Sequence, residues 1–268
     1  GVGALYSRIF LEKLGCEVFA INEDTNGKFN RPPEPVAENL SAIAQVTAYH
    51  HWAIGFAQDP DGDRLTVITN EGRVLNPHWT VALAVAQVLD SGDPGPVVVN
   101  VQTSQLVDAI AQASDCNIVH SKVGEINVVE KMLENDAVIG GEGNCGGVIF
   151  RKVHPGRDSF AAMALILEKL AFDAAPLSEI VGEVPDYVKF PAAPVKAKNL
   201  LTEFAKRYQK FAPFTFDGVC FDWPERGRVL LRSSNTEPVI RLNVESLNRQ
   251  AAEELLAQFS KEIGEFLQ

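Results

Sequence analysis

Two strand-like runs separated by a short acidic loop constrain the fold of this chain more than any other feature. Ala53-Ile-Gly-Phe-Ala57 and Leu65-Thr-Val-Ile-Thr69 have the apolar and β-branched content of strands. Between them lies Gln58-Asp59-Pro-Asp61-Gly-Asp63-Arg64, with a carboxylate at every second residue. In extended backbone, side chains at i, i+2 and i+4 point to one side, so these three like charges repel unless a positive charge sits among them. A hard divalent cation bound through oxygen, Mg²⁺ above all, resolves that conflict. Arg64 adds a guanidinium suited to an anion such as phosphate. Asp-Pro-Asp-Gly is also ordinary turn chemistry, and the local pattern alone does not separate the two readings. A calcium EF-hand is excluded. With Asp59 as loop position one, positions six and twelve are Arg64 and Asn70, where that motif needs Gly and Glu.

The 268 residues, 46% hydrophobic and 22% charged, describe a globular protein of two or three domains. The formal charge of −11 and the absence of a Lys/Arg stripe argue against a nucleic-acid partner. No apolar run approaches the roughly 18 residues of a membrane span, and no signal peptide is visible. The cysteines Cys16, Cys116, Cys145 and Cys220 are dispersed without C-x-x-C spacing, which fits reduced thiols in the cytoplasm rather than a zinc site. The histidines His50, His51, His78, His120 and His154 show no ligand spacing.

Along the chain, Gly1-Val-Gly3 leads into a helix over Ala4–Leu14, stopped by Gly15, and Glu17–Ile21 reads as a strand. A Gly-rich turn before a helix normally follows a strand in a β–α–β unit, so an upstream segment is expected. A helix over Val36–Thr47 precedes the acidic loop, and another spans Asn76–Leu89 with Pro77 in its first turn. Ser91–Pro96 reads as a linker. A second unit then alternates strand and helix: Val97–Val101, Thr103–Ser114 (capped by Thr103 or Ser104), Asn117–His120, Glu125–Glu134 and Ala137–Gly140, then a glycine-rich loop over Gly141–Gly147. Asp158 or Ser159 opens a helix to about Phe172. After a proline-rich connection, Glu183–Pro194, the last unit has a helix over Asn199–Phe211. Strands at Thr215–Phe221, Val229–Arg232 and Val239–Val244 follow, then a helix over Arg249–Phe266, an α+β order.

Three further loops carry chemistry. Arg232-Ser-Ser234-Asn235-Thr236-Glu-Pro238, with Arg241 just beyond, offers guanidinium, hydroxyl and amide donors for a phosphate dianion; a plain polar hairpin is the alternative. Gly141-Glu142-Gly-Asn144 follows a buried strand, and strand carboxyl ends of α/β sheets bind ligands. Glu142 and Asn144 would suit sugar hydroxyls, though a glycine-rich turn is also an adequate account. Lys122, in a strand-to-helix turn, is free to meet an anion.

Taken in order, Asp59–Arg64, Gly141–Asn144 and Arg232–Pro238 resemble the signature loops of the α-D-phosphohexomutase superfamily, the phosphoglucomutases, phosphomannomutases and phosphoglucosamine mutases. The resemblance spans essentially the whole chain. It implies two consecutive mixed α/β domains, 1–94 and 95–188, corresponding to the family's second and third, and a C-terminal α+β (TATA-binding-protein-like) domain at 189–268, corresponding to its fourth. It implies Asp59, Asp61 and Asp63 as Mg²⁺ ligands and Arg64 as the catalytic arginine beside the transferring phosphoryl group. Glu142, Asn144 and Lys122 would bind the sugar. Arg232, Ser234, Asn235, Thr236 and Arg241 would bind the phosphate.

Many members read Gly-Glu-x-Ser-Gly-His where this chain reads Gly141-Glu-Gly-Asn-Cys-Gly-Gly147, a form similar to archaeal-type members with Cys145 as an extra residue. The family's phosphoserine loop, Thr-Ala-Ser-His-Asn-Pro in type, is not in these residues. The implied activity is interconversion of hexose 1- and 6-phosphates through a hexose 1,6-bisphosphate. The implied partner is an N-terminal phosphoserine domain, without which the chain is expected to be inactive. The competing reading is a non-catalytic metal- and phosphosugar-binding protein.

Overall fold

A computed structural model describes the chain apart from residues 52, 93–94, 183–187, 192–198, 235–236 and 268. The described residues fall into two compact units, Gly1–Val184 and Pro185–Gln268.

The first unit opens with α1 (Val2–Lys13), ended by Gly15 at a φ of 88°. The expected strand at Glu17–Ile21 is not formed, because the segment has no ladder partner among the described residues. Its β-type side chains supply a strand's surface but not its hydrogen bonds, and Arg8 Nη1 caps the Val18 carbonyl at 3.1 Å instead. The helix expected over Val36–Thr47 is divided into a 3₁₀ turn at Ala37–Asn39 and α2 (Ser41–Tyr49). Leu40 causes the break. Its backbone leaves helical geometry (φ −114°, ψ 11°) while its side chain is buried against Ala57 and Ile68.

The two expected strands form as β1 (Ile54–Gln58) and β2 (Leu65–Thr69) and pair antiparallel, in register from Ile54 opposite Thr69 to Gln58 opposite Leu65. The other edge of β1 carries no strand among the described residues. A groove of about 600 Å³ there is lined by Leu5, Phe19, Ile43 and Phe56, with Leu5 and Phe19 about half exposed. α3 (His78–Asp90) follows, its first N–H received by Asn76 Oδ1 at 3.0 Å.

The four-stranded sheet of this unit is assembled from β3 (Val97–Asn100), α4 (Gln105–Ala113), β4 (Ile118–Ser121), α5 (Glu125–Glu134), β5 (Ile139–Glu142) and β6 (Gly147–Phe150). Strand order is β4-β3-β5-β6, the first three parallel and β6 antiparallel to β5. β3 is buried along its whole length, as its Val-Val-Val core suits a central parallel strand. Ser104, not Thr103, caps α4, accepting from the Leu106 N–H at 3.1 Å. Asp158 caps α6 (Ser159–Asp173), and a short α7 (Leu177–Gly182) completes the unit. β6 and α7 were not expected from sequence. β6 begins inside the glycine-rich run expected to be loop, and α7 has six residues, too few to show helical periodicity.

The second unit contains β7 (Val188–Pro191), α8 (Leu200–Arg207), β8 (Val219–Trp223), β9 (Gly227–Ser233), β10 (Ile240–Ser246) and α9 (Arg249–Phe266). Its antiparallel sheet has the order β7-β10-β9-β8. β7 lies within the expected proline-rich connection, much of which is outside the described residues. α8 ends at Arg207, and Gln209–Phe211 form a separate 3₁₀ turn. Alternate strand residues such as Phe221, Leu231 and Val244 meet Phe204 of α8 and Phe259 of α9 in one buried cluster. That period of two on the sheet, facing two helices, is the expected α+β layer structure.

Candidate functional site

The acidic loop is shaped by Asp59. Its carboxylate is buried (8% residue exposure), and Oδ1 accepts the N–H groups of Gly62, Asp63 and Arg64, each at 3.1 Å. One carboxylate oxygen thus gathers three consecutive backbone donors, with Gly62 at a φ of 76° making the turn. Burial, and next the Asp63 carboxylate, push Asp59 above the ordinary carboxylate range against the pull of the backbone donors. Ligand atoms of Asp59, Asp61 and Asp63 all lie within 4.8 Å of one another. Asp63 Oδ1 is buried and has no hydrogen-bond partner. An all-oxygen, carboxylate-rich donor set with an orphaned oxygen fits a hard divalent cation. Arg64 sits beside the triad, its Nε 3.7 Å from both Asp59 Oδ2 and Asp63 Oδ1 and its Nη1 2.6 Å from Glu34 Oε1.

The second cluster is built at the carboxyl ends of the parallel strands. Asn100, Ser121 and Glu142 are the last residues of β3, β4 and β5. The chain passes from β3 to β4 on one side and returns to β5 on the other, which opens a crevice at those ends. Asn100 Nδ2 bridges Glu142 Oε1 (2.8 Å) and Asn144 Oδ1 (2.9 Å). Glu142 Oε1 also accepts the Gly124 N–H at 2.7 Å, where Gly124, at a φ of 116°, opens α5. Glu142 is only 4% exposed and both its oxygens are engaged, whereas Asn144 and Lys122 are exposed. Glu142 therefore acts first as the frame of the loop, and Asn144 and Lys122 are its accessible polar groups.

Arg157 joins the two clusters, and sequence reasoning missed it. Its Nη2 pairs with Asp63 Oδ2, and its Nη1 donates to Glu142 Oε2 at 3.1 Å and approaches Cys145 Sγ at 3.4 Å. The fold brings Asp63 and Arg157 together across 94 positions. The only local cue was a charged residue just ahead of a helix cap. Burial pushes the Cys145 thiol up, although Arg157 and Arg64 pull the other way, so Cys145 stays a thiol at neutral pH.

The remaining candidates lie in the second unit. Arg232 on β9 stands directly opposite Arg241 on β10. Like charges in that relation destabilise a sheet unless anions are near. Here Arg232, 8% exposed, is held by both oxygens of Asp217 at 3.0 Å, and half-exposed Arg241 by Glu237 at 2.7 Å. The Ser234 N–H donates to the Val239 carbonyl at 2.8 Å, closing the hairpin. Asn235 and Thr236 lie outside the described residues.

Three family models match the chain in order. Residues 1–72, 76–187 and 192–262 match the phosphoglucomutase/phosphomannomutase α/β/α domain II, α/β/α domain III and C-terminal domain, respectively. A phosphoglucomutase/phosphomannomutase of Thermococcus kodakarensis is 35% identical over 264 residues, covering 96% of this chain and 57% of that protein. A phosphoglucosamine mutase of Methanocaldococcus jannaschii is 33% identical over 275 residues, covering 98% and 61%. The chain thus spans about three fifths of the length of these relatives. Among solved structures, a phosphoglucomutase/phosphomannomutase family protein of Burkholderia thailandensis superposes with a TM-score of 0.84 at 28% identity, covering 97% of this chain and 57% of that one. No helix among the described residues is long and apolar enough to cross a membrane. The chain belongs to the phosphoglucomutase/phosphomannomutase family and carries its second, third and fourth domains.

Proposed function

We propose that this chain supplies the metal, sugar and phosphate sites of a phosphohexomutase that interconverts hexose 1-phosphate and hexose 6-phosphate. The sugar would be a phosphoglucosamine, phosphomannose or phosphoglucose. The observation that carries the reading is the meeting of the acidic loop with the Gly-Glu loop inside one unit, where Arg157 spans Asp63 and Glu142. In this reading the chain has three domains, 1–94, 95–188 and 189–268. A phosphoserine outside these residues gives its phosphoryl group to the substrate, and the resulting hexose 1,6-bisphosphate reorients and returns the other phosphate.

Asp59, Asp61 and Asp63 would hold Mg²⁺, which when bound neutralises charge on the transferring group. Arg64, about one-third exposed beside the triad, faces the anion with a guanidinium held in place by Glu34. Asn144 and Lys122 read sugar hydroxyls and charge, with Glu142 and Asn100 fixing the loop that presents Asn144. Arg232, Ser234, Asn235, Thr236 and Arg241 hold the phosphate that is not reacting. One grip then serves both substrate orientations, and its binding energy aligns the reacting end.

Calorimetry tests the reading. The 268-residue chain should bind Mn²⁺ or Mg²⁺ and lose that binding in Asp61→Asn. It should bind hexose 1-phosphates weakly and lose them in Arg232→Ala. Unchanged affinities in both variants would overturn the assignment. The chain alone should show no turnover of glucose, glucosamine or mannose 1-phosphate, and product above background would refute the need for an external phosphoserine.

A further inference from the structure

Arg157 has a built seat. Its backbone N–H donates to Glu125 Oε1 at 2.7 Å, its side chain is 16% exposed, and its stem runs over Gly147, where any Cβ would overlap the Arg157 Cδ. From that seat one guanidinium reaches Asp63 through Nη2 and Glu142 through Nη1, while Nε lies 3.6 Å from Glu125 Oε2 without a hydrogen bond. A planar fork held at its stem reaches the two carboxylates through two separate nitrogens, where a lysine would have to meet both from one.

We propose that Arg157 is a positioning residue that competes with the bound cation for Asp63 and so couples the acidic loop to the Gly-Glu loop. This rests on reading Asp59, Asp61 and Asp63 as the metal site. The geometry gives the competition its sign. Arg157 occupies Asp63 Oδ2, leaving only Oδ1 without a partner, and it places a positive charge beside the triad. A cation that claims Asp63 must therefore displace or share the guanidinium, whose freed donor falls to Glu142 and Cys145, its other contacts. The state of the acidic loop is in this way passed to the loop that carries Asn144. A residue that merely braced the fold would behave oppositely, since its loss would loosen the acidic loop and weaken the metal.

The test is Mn²⁺ titration of the 268-residue chain, followed by electron paramagnetic resonance of the free ion, for wild type, Arg157→Gln, Arg157→Lys and Asp61→Asn. Arg157→Gln should bind Mn²⁺ at least threefold more tightly than wild type. Arg157→Lys, which keeps the charge but gathers it on one nitrogen and loses the fork, should fall between the two, and this comparison decides the matter if Arg157→Gln does not fold. Unchanged or weaker Mn²⁺ binding in the Arg157 variants, with binding still lost in Asp61→Asn, overturns the competition while leaving the metal site standing. Absence of Mn²⁺ binding in wild type, or full binding in Asp61→Asn, overturns both.

Discussion

Replacing Glu142 with alanine should cost the first unit about 3–5 kcal/mol, far more than an exposed ligand residue would. The side chain is buried and serves three donors: the Gly124 N–H at 2.7 Å, Asn100 Nδ2 at 2.8 Å and Arg157 Nη1 at 3.1 Å. Each neutral buried donor left without a partner costs about 1–3 kcal/mol. Asn100 Nδ2 keeps Asn144 Oδ1 at 2.9 Å, so its loss sits at the low end. Arg157 keeps Asp63, which holds the ionic part below the roughly 3–5 kcal/mol of a fully broken buried pair. Glu142→Gln retains Oε1 as the acceptor for Gly124 and Asn100 but replaces Oε2 with an NH2 that faces the Arg157 Nη1 donor, so it should cost about 1–3 kcal/mol. Urea unfolding of the whole chain, read by hydrogen exchange at the buried Val98 and Val99 amides of β3, separates the first unit from the second. At a slope of about 2 kcal/mol per molar urea, the alanine variant should shift the midpoint by about 1.5–2.5 M. A shift below about 0.3 M would refute the view that Glu142 frames the loop.

Asp158→Ala should destabilise α6 by about 1 kcal/mol, because Asp158 Oδ1 accepts the Phe160 and Ala161 N–H groups at 2.8 and 3.1 Å; a thermal melt of the first unit checks it. Gly146→Ala should cost at least about 2 kcal/mol by the same urea assay, since Gly146 has a φ of 72° and a Cβ there would overlap the Leu65 carbonyl where β2 leaves the acidic loop. Glu262 gives a pH signature in the second unit. Burial pushes its carboxyl up, but hydrogen bonds from Tyr208, Gln258 and Arg207 outweigh this and leave it below its ordinary 4.5. A lowered carboxyl stabilises fully above its unfolded value and loses that contribution as pH falls through the folded one. Stability of the second unit should therefore decline with acid below about pH 4.5, less steeply in Glu262→Gln, and equal slopes in urea titrations would contradict the assignment.

The hairpin around Asp59, Asp61 and Asp63 was legible in the sequence because two strand-like runs and a Gly at the turn are local, but the carboxylates converge through a turn folded on Asp59 Oδ1 and not through the extended backbone their spacing suggests. The helix over Glu125–Glu134 and the Asp158 cap were legible for the same reason. Arg157 was not, since its meaning comes only from Asp63 and Glu142, which the fold carries to it. Nor was the inward role of Glu142, which a reading of the loop offers to solvent and the structure spends on Asn100, Gly124 and Arg157. Glu17–Ile21 erred in the other direction. It has a strand's residues, and a strand is a property of pairs.

The edge of β1 that carries no strand among the described residues has a consequence for how these 268 residues behave in a tube. Unpaired strand edges are templates for another chain, and here half-exposed Leu5 and Phe19 flank that edge with apolar surface. The formal charge of −11 opposes the approach of a second copy, and that repulsion reaches only about 8 Å at physiological salt. Colloidal behaviour should then follow ionic strength more than temperature. Dilute buffer keeps the molecules dispersed, and concentrating them in high salt brings together the surfaces best able to knit.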